Sequence, residues 1–355
     1  MIIVLGADGY TGYEYCTHNE AIQIDNLSKR LQMEALNLVS LNEKTPRFTI
    51  QLCDMTDSKQ VDHLIRSTRP EAVIHLAENP SAPYSMMSPD KGREVISNNI
   101  ASTMNLIYAV RDYSPETHII KLGSMGTYGC PNVEIPEGWF DLEYKGRNDK
   151  LLFPSTPHSI YHLSKVMDSQ ALAFSCRMWR LKVTDLHQGF VHSVDLNDPS
   201  RFCYDHIFGT VLNRFLVQAV AGHPLTVYGQ GGQTRGLIHI KDTIQCFNLA
   251  IENPPKEGEY RVANQLTEWL SINQIAQMVK VAGDNLNLNV KIDHIKNPRI
   301  EKEDHFYNVE HKVMNDYGYK GHHLTVNMIE EMLEWVSQNK EKIEVNQILP
   351  RVSWR

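Results

Sequence analysis

Residues 2–12 read Ile2-Ile3-Val4-Leu5-Gly6-Ala7-Asp8-Gly9-Tyr10-Thr11-Gly12, and the fold follows from how that run divides. Ile2 to Leu5 are apolar and β-branched-rich, the composition of a short strand. Gly6 to Gly12 follow as G-x-x-G-x-x-G. Small residues there let the backbone come close to a diphosphate at the N-terminus of a helix. A glycine loop alone is weak evidence, so its surroundings decide. The next strand, Ala21 to Ile24, ends in Asp25-Asn26. An acid at that strand end can bond both hydroxyls of a ribose and repel a 2′-phosphate, which favours NAD over NADP. Twelve residues separate Gly12 from Asp25. Without the strand and a turn they leave about 12 Å of helix at about 1.5 Å per residue, so the first crossover helix must be short.

Working outward, Leu27 to Arg47 is polar and carries no clear element, and reads as a loop over the cofactor. Alternation then resumes. Strands are expected at Phe48–Leu52, Ala72–Leu76 and Ile119–Leu122, and helices at Ser58–Ser67 and Asn98–Tyr113. Strands alternating with helices predict an α/β fold with a doubly wound parallel sheet (Rossmann), whose ligands lie at the carboxyl ends of the strands. Asp54, Ala77-Glu78, Gly123-Ser124-Met125 and Gln188-Gly189 follow such ends and are candidate site residues. Beyond Ser193 the alternation loosens, with helices expected at Val211–Ala221, Ile272–Val281 and Val326–Val336. Residues 1–192 read as an NAD-binding domain. Residues 193–355 read as a smaller α/β region, mainly substrate-binding, with segments free to return to the first domain.

Composition narrows the function. The 355 residues are 42% hydrophobic and carry a formal charge of −7, which argues against a nucleic-acid or anionic-membrane partner. No apolar run approaches the ~20 residues of a membrane span. The chain begins on its first strand without a charged leader, so a cytoplasmic location is expected. Six cysteines without a CxxC pair fit neither a zinc site nor a disulfide framework, and no metal is expected.

The chemistry is carried by Ser159-Ile160-Tyr161-His162-Leu163-Ser164-Lys165. Residues four apart leave a helix from one face, so Tyr161 and Lys165 can reach one substrate. A free phenol, with a pKa near ~10, is a poor base, and a neighbouring ammonium favours its phenolate. Ser124 can bond the oxygen that Tyr161 deprotonates. Further on, Gly229-Gln230-Gly231-Gly232-Gln233-Thr234-Arg235-Gly236 and Asn297-Pro298-Arg299 offer guanidiniums for a phosphate.

In this order, the glycine loop, the acid, Ser124 and Tyr161-x-x-x-Lys165 resemble the extended short-chain dehydrogenase/reductases acting on nucleotide sugars. Ser81-Ala82-Pro83-Tyr84-Ser85-Met86, His223-Pro224-Leu225-Thr226-Val227-Tyr228-Gly229 and Val352-Ser353-Trp354 are similar to the UDP-sulfoquinovose synthase family. The resemblance implies conversion of UDP-glucose and sulfite to UDP-sulfoquinovose with NAD: oxidation at C4, loss of water across C5 and C6, sulfite addition, and return of hydride to C4. It implies Ser124, Tyr161 and Lys165 as the redox group. It also implies His162 as the proton-transfer group of the elimination, with a pKa suited to both directions. NAD contacts would be Gly6, Gly9, Tyr10, Thr11, Gly12, Asp25, Asn26, Asp54, Met55, Leu76, Ala77, Glu78 and Asn99, with Tyr161 and Lys165. UDP-sugar contacts would be Tyr84, Ser124, Met125, Gln188, Asn213, Thr226, Val227, Tyr228, Gln233, Arg235 and Arg299. A homodimer is implied as well. The chain departs from the family at Pro80, where an arginine is usual. That leaves open a 4-epimerase or 5,6-dehydratase that never adds sulfite. A silent NAD or UDP-sugar sensor is a second alternative, against which the retention of Ser124, Tyr161 and Lys165 argues, because sensing needs no base.

Overall fold

The computed structural model describes residues 1–42, 45–197, 199–300 and 308–354. The chain opens with β1 (Ile2–Leu5), α1 (Tyr10–His18), β2 (Ile22–Asp25), α2 (Ser28–Ala35), β3 (Ile50–Leu52), α3 (Ser58–Thr68) and β4 (Ala72–His75). The short α4 (Ala82–Ser85) precedes α5 (Pro89–Tyr113), β5 (His118–Ser124) and a hairpin of β6 (Trp139–Tyr144) and β7 (Arg147–Leu152). Then come α6 (Ile160–Trp179), β8 (Lys182–Gln188), β9 (Phe190–His192), α7 (Val211–Val220), β10 (Leu225–Tyr228), β11 (Thr234–His239) and α8 (Ile240–Glu252). The last elements are β12 (Tyr260–Gln265), β13 (Glu268–Ser271), α9 (Ile272–Asn285), β14 (Ile292–Ile295), α10 (Lys312–Asp316) and α11 (Val326–Gln338).

Among the described residues, seven strands form one parallel sheet in the order β12-β8-β5-β4-β1-β2-β3. Strand order reverses between β1 and β4, and in such sheets the crevice outside that reversal is the ligand site. Leu5 pairs with Ile24 on one side and with His75 on the other, so the glycine loop, Asp25 and the segment after β4 leave the sheet at one level. The apolar runs of β1, β4 and β5 are buried between two helical layers, which is why they read as continuous rather than alternating. β12 reaches this sheet from beyond residue 192, so the first domain's edge strand comes from the second half of the chain.

The smaller region has its own core, where α7, α9 and α11 bury Phe215, Leu216, Ile275, Val279, Leu333 and Val336. A three-stranded sheet, β13-β11-β9, and the pair β10-β14 carry its loops to the rim of the large sheet. Two segments differ from the sequence reading. Residues 28–35 form α2 rather than a loop; the helix buries only Met33, so no apolar periodicity marked it. The helix expected from Asn98 begins at Pro89 instead, with the Ser88 hydroxyl capping the amide of Lys91 and proline at the first position, where its missing N–H costs nothing.

Candidate active site

The glycine loop turns at Gly6, whose φ of +88° and contact with the next strand leave no room for a side chain: a Cβ would lie 2.7 Å from the Leu76 carbonyl carbon. A Cβ on Gly12 would stand 2.1 Å from the Gly6 carbonyl oxygen, so the first turn of α1 packs directly on the loop. The 9-residue α1 is as short as the spacing requires. Asp25 accepts the amides of Asp8 at 2.9 Å and Leu27 at 2.6 Å, one on each oxygen. Each oxygen keeps a lone pair for a hydroxyl. Burial raises the Asp25 pKa, and those amides oppose the rise. Inside the loop, Asp8 is gripped by Arg30 and by Arg201, whose guanidinium lies 2.6 Å away, so α2 and the segment before α7 are tied to the turn. A diphosphate cradle beside a ribose-binding acid fits NAD.

One cavity of about 560 Å³ runs from this loop to the smaller region. Gly6, Gly9, Tyr10, Thr11, Gly12, Asp25, Asn26, Asp54, Met55, Leu76, Ala77 and Glu78 line one part of it. Asn99 does not: it is fully buried, its amide spent on the Asn79 backbone and on Ser164, and the neighbouring Asn98 reaches the lining instead.

Ser124, Met125, Tyr161, His162 and Lys165 line the middle. Ser159 caps α6 through the amide of His162, which fixes the entry angle of the helix. The Ser124 hydroxyl accepts the Gly126 amide at 3.1 Å and lies within reach of the Tyr161 phenol. Lys165 Nζ donates to the Leu122 carbonyl at 2.7 Å, pairs with Glu78 at 2.5 Å and lies 5.8 Å from the Tyr161 ring centre. Burial lowers the tendency of Lys165 to stay charged, yet Glu78 and its neighbours more than reverse this, so the ammonium is held firmly. For Tyr161 the order differs from the sequence reading. Lys165 and Ser124 pull the phenol down, but burial is larger and its pKa is raised. His162 is corrected too. Burial first, then Arg299 and Arg235, push its pKa to about 3, so it is a neutral imidazole rather than a group poised in both directions. Its Nδ1 meets the Ser159 hydroxyl at 3.0 Å, and its Nε2 edge packs on Gly126, where a Cβ would stand 2.2 Å away.

At the far end, Gln188, Tyr228, Gln233, Arg235 and Arg299 line the cavity, with Trp354 beneath the Arg299 guanidinium at 5.2 Å. Four expected contacts are absent from the lining. The Tyr84 hydroxyl donates to Glu94 at 2.8 Å, and the Asn213 amide donates to the Cys203 carbonyl at 3.0 Å. The Thr226 hydroxyl accepts from Gln218 at 2.8 Å, and Val227 is core. Sequence reasoning missed Arg214, next to Asn213. It is buried, lies 4.4 Å from the Tyr228 ring centre and bonds that hydroxyl at 2.9 Å. Its Nε finds no hydrogen-bond partner among the described residues. The signal was present, since an arginine on the apolar helix Val211–Val220 needs a reason to be buried.

Comparison with known proteins agrees with the fold. A sequence model described as the NAD dependent epimerase/dehydratase family matches residues 2–264. The chloroplastic UDP-sulfoquinovose synthase of Spinacia oleracea is 41% identical, the alignment covering 100% of this chain and 79% of that protein. The UDP-sulfoquinovose synthase of Sulfolobus acidocaldarius is 38% identical, with 100% and 97% covered. Among solved structures, a UDP-glucose 4-epimerase with UDP-glucose from Thermotoga maritima superposes with a TM-score of 0.72 at 18% identity over 95% of this chain and 98% of that one. A UDP-glucuronic acid 4-epimerase from Bacillus cereus, in complex with UDP-glucuronic acid and NAD, gives 0.70 at 19% identity, covering 95% and 99%.

Proposed function

The chain belongs to the NAD dependent epimerase/dehydratase family, and on that premise we propose that it acts as a UDP-sulfoquinovose synthase, using UDP-glucose, sulfite and tightly held NAD. The observation that carries this reading is that Ser124, Tyr161, His162 and Lys165 open on the same cavity as the glycine loop and the arginine end. Sulfite cannot displace a hydroxyl from C6 of glucose directly. Oxidation at C4 acidifies the C5 proton, loss of water across C5 and C6 makes C6 electrophilic, and sulfite then adds there. NAD, when bound, supplies the acceptor that takes the C4 hydride and gives it back.

This chain's residues supply the rest. Tyr161 accepts the C4 hydroxyl proton while Ser124 orients that hydroxyl and Lys165 stabilises the phenolate. His162, neutral and oriented by Ser159, takes the C5 proton and passes it to the departing C6 hydroxyl, which leaves as water as the enone forms. Arg214, Arg235 and Arg299 hold the diphosphate. Three guanidiniums in one cavity suit two adjacent phosphates better than one.

A cation is a natural partner for an anion such as sulfite, and Pro80 cannot supply one. Lys29 lines the cavity, lies 5.5 Å over the Phe208 ring and therefore enters on the side where Ser81, next to Pro80, donates to the Ile207 carbonyl. We assign sulfite binding to Lys29. The test is incubation with UDP-glucose and sulfite: a sulfonated nucleotide sugar by mass spectrometry is expected. Accumulation of an epimer or an enone instead would favour the non-sulfonating reading that Pro80 keeps alive.

A homodimer is part of the same proposal. On α6, Leu163, Met167, Phe174 and Met178 are exposed at the spacing of one helix face, with Tyr108 of the adjacent α5 beside them. A second copy presenting the same two helices would bury this stripe.

A further inference from the structure

Beneath Lys165 lies a buried group of charges that the proposed reaction does not consume. Asp168 is one helical turn beyond Lys165 and two beyond Tyr161, on the same face of α6, and is 1% exposed. Lys121 of β5, fully buried, donates to Glu78 and to the Thr103 hydroxyl at 2.9 Å, and its Nζ lies 3.4 Å from Asp168. The Glu78 carboxylate takes Lys121 on one oxygen and Lys165 on the other. Asp168 lies within hydrogen-bonding reach of that carboxylate. Neither oxygen of Asp168 accepts a hydrogen bond from any described residue.

Two carboxyl groups brought together away from water resist being ionised at once, and a proton between them makes the contact attractive. We propose that Asp168 is a positioning residue held as the carboxylic acid, which donates to Glu78 and leaves the buried cluster one positive charge in excess beside Tyr161. Glu78 contributes one negative charge, and Lys121 and Lys165 contribute two positive ones. His75, the remaining titratable neighbour, is kept neutral by burial and by Lys121. On the β8 side, Asp185 is engaged by Ser169, Tyr260 and His187. The excess charge is what a phenolate at Tyr161 would neutralise; an ionised Asp168 would cancel it and oppose the phenolate. The shift in Asp168 agrees: burial, then Glu78, drives its pKa well above the ordinary carboxylate value, while Glu78 is driven down despite its burial, chiefly by the two lysines.

The inference rests on Tyr161 being the proton acceptor, so its test separates the two. Infrared spectra of the folded protein at neutral pH should contain the carbonyl stretch of a protonated carboxylic acid that is lost in Asp168→Asn. The rate of bound-NAD reduction on adding UDP-glucose without sulfite supplies the second readout. Asp168→Leu, which cannot donate, should slow it at least about tenfold, the size of a lost hydrogen bond to a charged group. Asp168→Asn, neutral and able to donate, should recover most of that loss and keep the midpoint of the acid limb. If Asp168 is ionised, Asp168→Asn instead adds a net positive charge and lowers the midpoint by about one unit or more, which overturns the proposal. A missing carbonyl band, or an Asp168→Leu rate equal to wild type, does the same. Tyr161→Phe is the control: full NAD reduction there defeats the Tyr161 reading, while the infrared band still decides the state of Asp168.

Discussion

At the scale of single residues, Tyr161 is the clearest case of a side chain whose type was legible and whose state was not. Its spacing from Lys165 announced the pair, but burial outweighs the lysine in setting its pKa, and burial is a property of the fold. Removing the hydroxyl tests the pair directly: Tyr161→Phe should lower turnover by about 10²–10⁴, the usual contribution of a positioned acid-base group. His162 separates redox from elimination. His162→Asn should still reduce bound NAD on addition of UDP-glucose while forming no sulfonated product; an undiminished product yield would remove it from the mechanism. Lys29→Met should raise the KM for sulfite at least about tenfold, the cost of a charged partner, and leave NAD reduction unchanged. An unaltered KM would place the sulfite elsewhere. Arg214 belongs to this scale as the residue passed over, because an arginine within an apolar helix reads as an exception until its cavity is seen.

At the scale of elements, α6 does two things with two faces. Its inner face carries Tyr161, Lys165 and Asp168 to the end of β5, and its outer face exposes Leu163, Met167, Phe174 and Met178. A charge on that outer stripe should prevent the proposed dimer without touching the cavity. Phe174→Glu is expected to sediment as a monomer, and an unchanged mass would exclude this face. Element boundaries were the weakest part of the sequence reading, for identifiable reasons. α2 is polar almost throughout and is held by the Arg30–Asp8 pair, a contact from loop to helix that no periodicity records. The start of α5 is set by Ser88 and Pro89, nine residues before its apolar pattern becomes clear.

Over the whole molecule, buried histidines couple the fold to pH. Burial holds His118, His162 and His192 at about 3 and His239 at about 4, against an ordinary value of 6.5. A depressed folded pKa means that the unfolded chain binds more protons below 6.5, so the stability these groups contribute is complete above that pH and is lost as the pH falls toward 4. Each adds up to about 1.4 kcal/mol per pH unit to the slope. Buried carboxyls with raised values, Asp168 among them, act in the opposite sense, so the test isolates one histidine. His118→Gln should show a pH dependence of denaturant midpoint between 6.5 and 4 that is shallower than wild type by one proton; equal slopes would contradict it. The sequence by itself determined the layered α/β fold, the glycine-loop turn, the acid after β2 and the Tyr161–Lys165 pair, because strand composition, glycine at a positive φ and helical spacing are local properties. Only the tertiary structure decided that Asn98 rather than Asn99 faces the cavity, that Tyr84, Asn213, Thr226 and Val227 turn away from it, that Arg214 reaches it, and that Glu78, Lys121 and Asp168 meet beneath α6. Those outcomes depend on which side of an element is covered and by what. For Glu78, Lys121 and Asp168, brought together from three elements, burial then sets the charge each one carries.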